Sequence, residues 1–147
     1  MTSPFRPLTQ DVAVAPQIAL ADLKTAAEAG YRTIVSNRPD GEDPGQPTAA
    51  EVAAEAEANG LAFVHLPFQG TNMTPDQVKA LAGLLADPET GKVLAFCRSG
   101  TRSSIIYSAA AVANGKPLPE VIGDAAKGGY DLAPHAPLIK ALADAAR

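Results

Sequence analysis

Lys92-Val93-Leu94-Ala95-Phe96-Cys97-Arg98-Ser99-Gly100-Thr101-Arg102-Ser103-Ser104 decides the fold: an apolar run, one cysteine, a polar turn around a glycine, then an arginine opening a helix. Lys92 to Phe96 reads as a buried strand, and a helix is predicted from about Arg102 to Asn114. Such a helix points its unpaired N–H groups and the positive end of its dipole back at the loop. Successive N–H groups of a tight loop converge on a concavity that suits an anion. Gly100 lets the chain turn there without a Cβ clash. Ser99, Thr101, Ser103 and Ser104 bring hydroxyls near the sulfur. Arg98 and Arg102 add positive charge, and Arg102 has the fork geometry for an anionic ligand. Most lone cysteines are inert core residues. A core cysteine has no need of two arginines, a glycine and several hydroxyls beside it, so Cys97 is expected to be a nucleophile in an anion-binding loop.

Outward from this loop, strand-like runs alternate with Ala-rich helical stretches. Asp11 to Val14, Arg32 to Ser36 and Leu61 to Leu66 read as further strands. Helices are expected over Ala19–Ala29, from a Thr48 cap to about Asn59, from a Thr74 cap onward, over Leu118–Lys127 and over Pro134–Ala146. Glu51 and Gln77 stand three residues after the two threonines and complete capping boxes. Strands separated by helices imply a mostly parallel sheet of four or five strands, flanked by helices, in an α/β domain. Ligands bind such sheets beyond the carboxyl ends of the strands. Cys97 falls at one such end, and the Asn37–Asp43 loop at another.

With 147 residues, residues 1–147 suit a single domain. The residues are 46% hydrophobic and 19% charged, so the chain has the means to bury a core. A net charge of -4 argues against a phosphate-backbone partner, hence no nucleic acid. No run approaches the length of a membrane span, and Met1 to Asp11 lacks a signal-peptide pattern. One cysteine forms no internal disulfide, and one Cys with two His makes a poor zinc set. The expectation is a cytoplasmic protein with no metal and no cofactor.

Val93 to Ser104 resembles the active-site loops of two related groups. Tyrosine and dual-specificity phosphatases place five residues between Cys and Arg; rhodanese-type sulfurtransferases place four, as here between Cys97 and Arg102. Further out, Asn37-Arg38-Pro39-Asp40-Gly41-Glu42, Gln46-Pro47, Gly60-Leu61, His65-Leu66-Pro67 and Gly129-Tyr130-Asp131-Leu132 resemble the phosphatase-like domain of the beta-lactamase-hydrolase-like proteins. That resemblance runs from about Gln10 to Leu138. It implies a dual-specificity-phosphatase-like fold. It also implies sulfur chemistry, because family members occur alone or fused to domains that handle persulfides, a possible partner of that kind.

Two chemistries compete for the loop. A phosphatase expels an alkoxide or phenoxide and wants a positioned general acid. Pro67 to Met73, where tyrosine phosphatases carry an Asp, has no carboxylate, and Phe96 stands where their His precedes the Cys. Asp76 reads better as a helix-start residue, which leaves it, Asp40 and Glu42 as possible acids. Sulfur transfer needs less protonation: Cys97 takes a sulfur atom as a persulfide and passes it on in a ping-pong cycle. The shorter loop makes a tighter cradle, so the sequence ranks sulfurtransferase above phosphatase. A non-catalytic module that binds an anion or a persulfide is a third reading. The substrate in either enzyme is a small anionic sulfur or phosphate compound. Catalysis is assigned to Cys97 and Arg102, and anion binding to Arg98, Ser99, Gly100, Thr101, Ser103 and Arg38. For Arg38 the preferred of two readings is a brace for its loop, against Asp40 or Glu42, ahead of substrate contact. Asn37 is expected to cap that turn, His65 to make a structural hydrogen bond, His135 to lie at the surface, and Tyr130 to pack the last two helices together.

Overall fold

The computed structural model describes residues 4–147; the first three residues of the amino-terminal stretch discussed above lie outside it. In chain order the elements are β1 (Arg6–Pro7), β2 (Val12–Ala15), α1 (Asp22–Glu28), β3 (Tyr31–Ser36), α2 (Ala49–Ala58), β4 (Ala62–His65), α3 (Pro75–Ala86), β5 (Lys92–Phe96), α4 (Thr101–Ala113), α5 (Leu118–Lys127) and α6 (Ala136–Ala146). The strands form one five-stranded sheet in the order β1-β2-β5-β3-β4. All neighbours are parallel except β1 against β2. This is the α/β architecture with a mostly parallel, helix-flanked sheet.

Alternation along β5 builds two cores. Val93 and Ala95 face one side with Val12, Val14 and Val35, where α3, α4, α5 and α6 supply Leu81, Ile106, Val121 and Ile139. Leu94 and Phe96 face the other with Ala13, Ala15 and Ile34, covered by Leu23 of α1 and Val52 of α2. Every residue of α4 from Ser103 to Val112 is buried, so that helix runs through the packing rather than over it. β5 lies between β2 and β3, and the ladder continues to its last residue: the Cys97 N–H donates to the Ala15 carbonyl at 3.3 Å, and the Asn37 N–H to the Phe96 carbonyl at 2.9 Å. Cys97 therefore emerges from the middle of the sheet at its carboxyl edge.

Both capping boxes form, Thr48 with Glu51 and Thr74 with Gln77. Two expectations shift, and one strand is new. The helix anticipated from Ala19 begins at Asp22, whose carboxylate takes the Ala19 N–H and turns residues 19–21 into an entry turn. The last helix begins at Ala136, after a 3-10 turn over Ala133–His135. β1 is an edge strand too short to show alternation, and Pro7 sits there because an edge tolerates a missing donor. Among the described residues, no helix is long and apolar enough to cross a membrane.

Candidate active site

The loop after β5 is shaped by its own backbone. Gly100 adopts φ +96°, in the left-handed region, and serves as the N-cap of α4. That turn swings the Gly100 N–H onto the Cys97 sulfur at 3.0 Å. The Gly100 carbonyl is held in turn by the Ser104 N–H at 2.9 Å and the Ser104 hydroxyl at 2.8 Å. Ser99 accepts from the Thr101 N–H at 3.3 Å and its hydroxyl donates to Thr101 Oγ1 at 3.2 Å. The sulfur is buried while Arg98 and Ser99 are exposed, so the loop forms a rim around a recessed thiol group.

Arg102, one residue into α4, is oriented by its neighbours rather than by the loop. Its two terminal nitrogens fork onto Glu42 at 2.8 and 3.0 Å, and one also donates to the Phe68 carbonyl at 3.0 Å. Glu42 accepts from Arg38 as well, at 2.9 Å. Hydrogen bonding from Arg102 above all, against a cost of burial and with Arg38 adding to it, lowers the Glu42 pKa from 4.5 to about 2. The Arg102 pKa is raised, first by Glu42 and also by Cys97, which places the guanidinium within electrostatic reach of the sulfur.

The Asn37–Gln46 loop carries this support. Arg38 is buried, and its guanidinium donates to Glu42, to Gln17 at 2.8 Å and to Asp43. That is the bracing arrangement; all three of its nitrogens are engaged within the protein. Asp43 also meets the exposed Arg98 at 3.4 Å. The ion pairs thus run Arg98–Asp43–Arg38–Glu42–Arg102, three cations against two anions, a surplus of one positive charge that a thiolate at Cys97 would balance. His65 Nε2 lies 2.9 Å from the Arg38 carbonyl and ties β4 to the same loop.

Asn37 does not cap its turn. It is buried where β3 ends beside β5, donating to the Leu66 carbonyl at 3.1 Å and accepting from the Ser103 hydroxyl at 2.8 Å. Ser103 is therefore turned toward Asn37, and Arg98, Ser99, Gly100 and Thr101 form the rim and wall of the loop. Asp40 accepts the Ala49 N–H at 2.8 Å and supports the start of α2. Asp76 is exposed in the first turn of α3. Cavities of about 270 and 540 Å³ open near Val12, Val93 and Lys92, at the amino ends of β2 and β5, with no residue of the Cys97 loop in their walls.

Tyr130 differs from expectation. It does not merely join the last helices: after Gly129, at φ +92°, it turns back so that its hydroxyl donates to the Ser99 carbonyl at 3.0 Å. Periodicity carries no signal for this contact. Gly128-Gly129 before the tyrosine marks a turn, and Gly129-Tyr130-Asp131-Leu132 is part of the family resemblance, but neither says what the ring meets.

Glu42 gives a pH prediction. Its pKa is depressed in the folded protein, so its contribution to stability is present above pH 4.5 and is lost as pH falls toward about 2. Glu42→Gln is expected to lower the urea midpoint at neutral pH and to flatten the acid decline between those values. Parallel midpoint-against-pH curves for the two proteins would rule this out.

Comparison with known proteins places this chain among phosphatase-like ones. A family described as "Beta-lactamase hydrolase-like protein, phosphatase-like domain" matches residues 4–114. A beta-lactamase hydrolase-like protein of Xylella fastidiosa (strain Temecula1) is 35% identical over 109 residues, 74% of this chain. The match covers 25% of that protein, so the chain spans about a quarter of the length of this curated relative. The crystal structure of a candidate phosphatase from Neisseria meningitidis Z2491 is similar with a TM-score of 0.81 and 28% identity, covering 96% of this chain and 99% of that one. Tk-PTP in its active form is similar at TM-score 0.77 and 21% identity, over 98% and 99% of the two chains, a likeness of fold.

Proposed function

Because this chain belongs to the phosphatase-like domain family of the beta-lactamase hydrolase-like proteins, we propose that it is a cysteine-dependent phosphatase working through a phosphocysteine on Cys97. The order of the two chemistries drawn from loop length is thereby reversed. One observation carries the reading: the sulfur sits under the Gly100 N–H at the head of α4, beside an Arg102 fork fixed in place by Glu42 and the Phe68 carbonyl. The Arg102 Nε–H and the second hydrogen on Nη2, which Glu42 and the Phe68 carbonyl leave free, join the loop N–H groups in binding the phosphoryl oxygens and stabilise the charge that builds on them. The Cys97 thiolate attacks phosphorus, an S–P bond forms, and the ester P–O bond breaks with its electron pair leaving on the departing oxygen. Water then attacks phosphorus, the S–P bond breaks, and phosphate and the thiolate are released.

The departing oxygen needs a proton in proportion to its basicity. Glu42 is a poor donor, with a pKa of about 2 between two arginines. Asp43 is paired to Arg38 and Arg98, Asp40 serves α2, and Asp76 lies in a helix turn. The preferred substrates are therefore small phosphate compounds with weakly basic leaving groups, aryl esters or anhydrides rather than alkyl esters. A series of substituted phenyl phosphates is expected to show kcat/KM rising steeply as the phenol becomes more acidic, with Cys97→Ser inactive throughout. A flat series would mean that a proton donor is in place after all.

Sulfur transfer stands as the second reading, on the four-residue spacing from Cys97 to Arg102. There the thiolate takes the outer sulfur of thiosulfate, sulfite departs with the S–S electron pair, and cyanide or a thiol collects the sulfur. A persulfide-handling protein would be the natural donor or acceptor. Incubation with thiosulfate and then cyanide separates the two: Cys97-dependent thiocyanate without phosphate release would favour sulfur transfer. Neither product, from a protein that still binds a small anion, would favour the non-catalytic module.

A further inference from the structure

The Ser99–Gly100 peptide is gripped at both ends. Its carbonyl accepts from the Tyr130 hydroxyl at 3.0 Å, and its N–H donates to the Cys97 sulfur at 3.0 Å. A trans peptide points its C=O and N–H in opposite directions, so fixing the carbonyl fixes where the N–H points. We propose that Tyr130 is a positioning residue for Cys97, acting through this peptide to hold the Gly100 N–H on the sulfur and to strengthen the bond it makes there. The proposal rests on Cys97 being the nucleophile of the site, and it serves phosphoryl and sulfur transfer equally.

Hydrogen bonds in series polarise one another, and the chain here runs phenol O–H to carbonyl, then N–H to sulfur. Burial, opposed by Arg6 and aided by Cys97, raises the Tyr130 pKa, so the phenol stays protonated and keeps its donor. Space is arranged to match. A Cβ on Gly100 would lie 1.9 Å from the Tyr130 hydroxyl, so the glycine and the phenol fit only together. The Arg6 guanidinium stands over the ring, 5.9 Å from its centroid. The contact joins the segment after α5 to the loop at the head of α4.

The charged groups around sulfur and phenol are Arg102 with Glu42 behind it, Arg98 with Asp43, and Arg6. Tyr130→Phe keeps the ring and leaves all of these in place. Since Cys97 is the single cysteine, its titration can be followed by thiolate ultraviolet absorbance, with Cys97→Ser subtracted. In Tyr130→Phe the midpoint is expected to rise by about 0.3–1 pH unit, and the low-pH limb of kcat/KM to move with it. A role in packing alone would change the melting temperature and leave the titration where it was. Superimposed titrations overturn the proposal whatever happens to turnover. A shifted titration in a protein that hydrolyses no phosphate ester supports the clamp and removes the phosphatase reading instead.

Discussion

Replacing Arg102 with lysine is expected to lower kcat/KM for an aryl phosphate by about 10²–10³, the usual cost of removing a preorganised donor from a developing oxyanion. Lysine keeps the positive charge, so the loss measures geometry rather than charge. In the native protein two nitrogens of Arg102 are spent on Glu42 and one of them also meets the Phe68 carbonyl, so the plane of the fork is set before substrate arrives. An ammonium group has no plane to set and reaches an anion as a point charge. Glu42 keeps its bond to Arg38 in the variant, so the protein is expected to remain folded. Steady-state kinetics beside a thermal melt tests both halves. Activity within about threefold of wild type would remove Arg102 from the transition state.

Gly100→Ala carries the largest expected loss of stability, about 2–5 kcal/mol, from two sources. A side chain at φ +96° costs about 1–2 kcal/mol. The new methyl carbon also lands 1.9 Å from the Tyr130 hydroxyl and 2.6 Å from the ring carbon that bears it, and forcing such an overlap adds about 1–3 kcal/mol. Relief by moving the phenol would break its bond to the Ser99 carbonyl, so activity is expected to fall by at least about tenfold along with stability. A double-mutant cycle separates the sources. In a Tyr130→Ala background the same glycine substitution should show the backbone cost with little of the steric one. An equal penalty in both backgrounds would mean that the phenol and the glycine do not compete for space.

The carbonyl, N–H and sulfur discussed above belong to residues close in sequence, and that proximity explains what could be read early. The β5 run, the cysteine at its end, the glycine that turns the loop and the helix that follows were all legible, because each depends on neighbours within a few positions. The same holds for Thr48 with Glu51 and Thr74 with Gln77, where cap and partner are three residues apart. β1 left no trace, since Arg6-Pro7 is too short for a period and its pairing is set by β2. Loop length favoured sulfur transfer over phosphate transfer, whereas the fold and the family match favour a phosphatase-like chain, which spacing within one loop does not encode.

The sequence by itself determined a mostly parallel α/β sheet, a cysteine at a strand end and a glycine-turned loop beside it. Only the tertiary structure decided who supports that turn. Glu42 reaches Arg102 across 60 positions, Asn37 reaches Ser103 across 66, and Tyr130 reaches Ser99 across 31. The first two contacts exist because β3 and β5 are neighbours in the sheet, which brings the loops after them to one edge. The third exists because α5 packs on α4 and returns the chain to the loop that α4 begins from. Such partners are chosen by which elements lie side by side, and no local pattern of residues specifies that order.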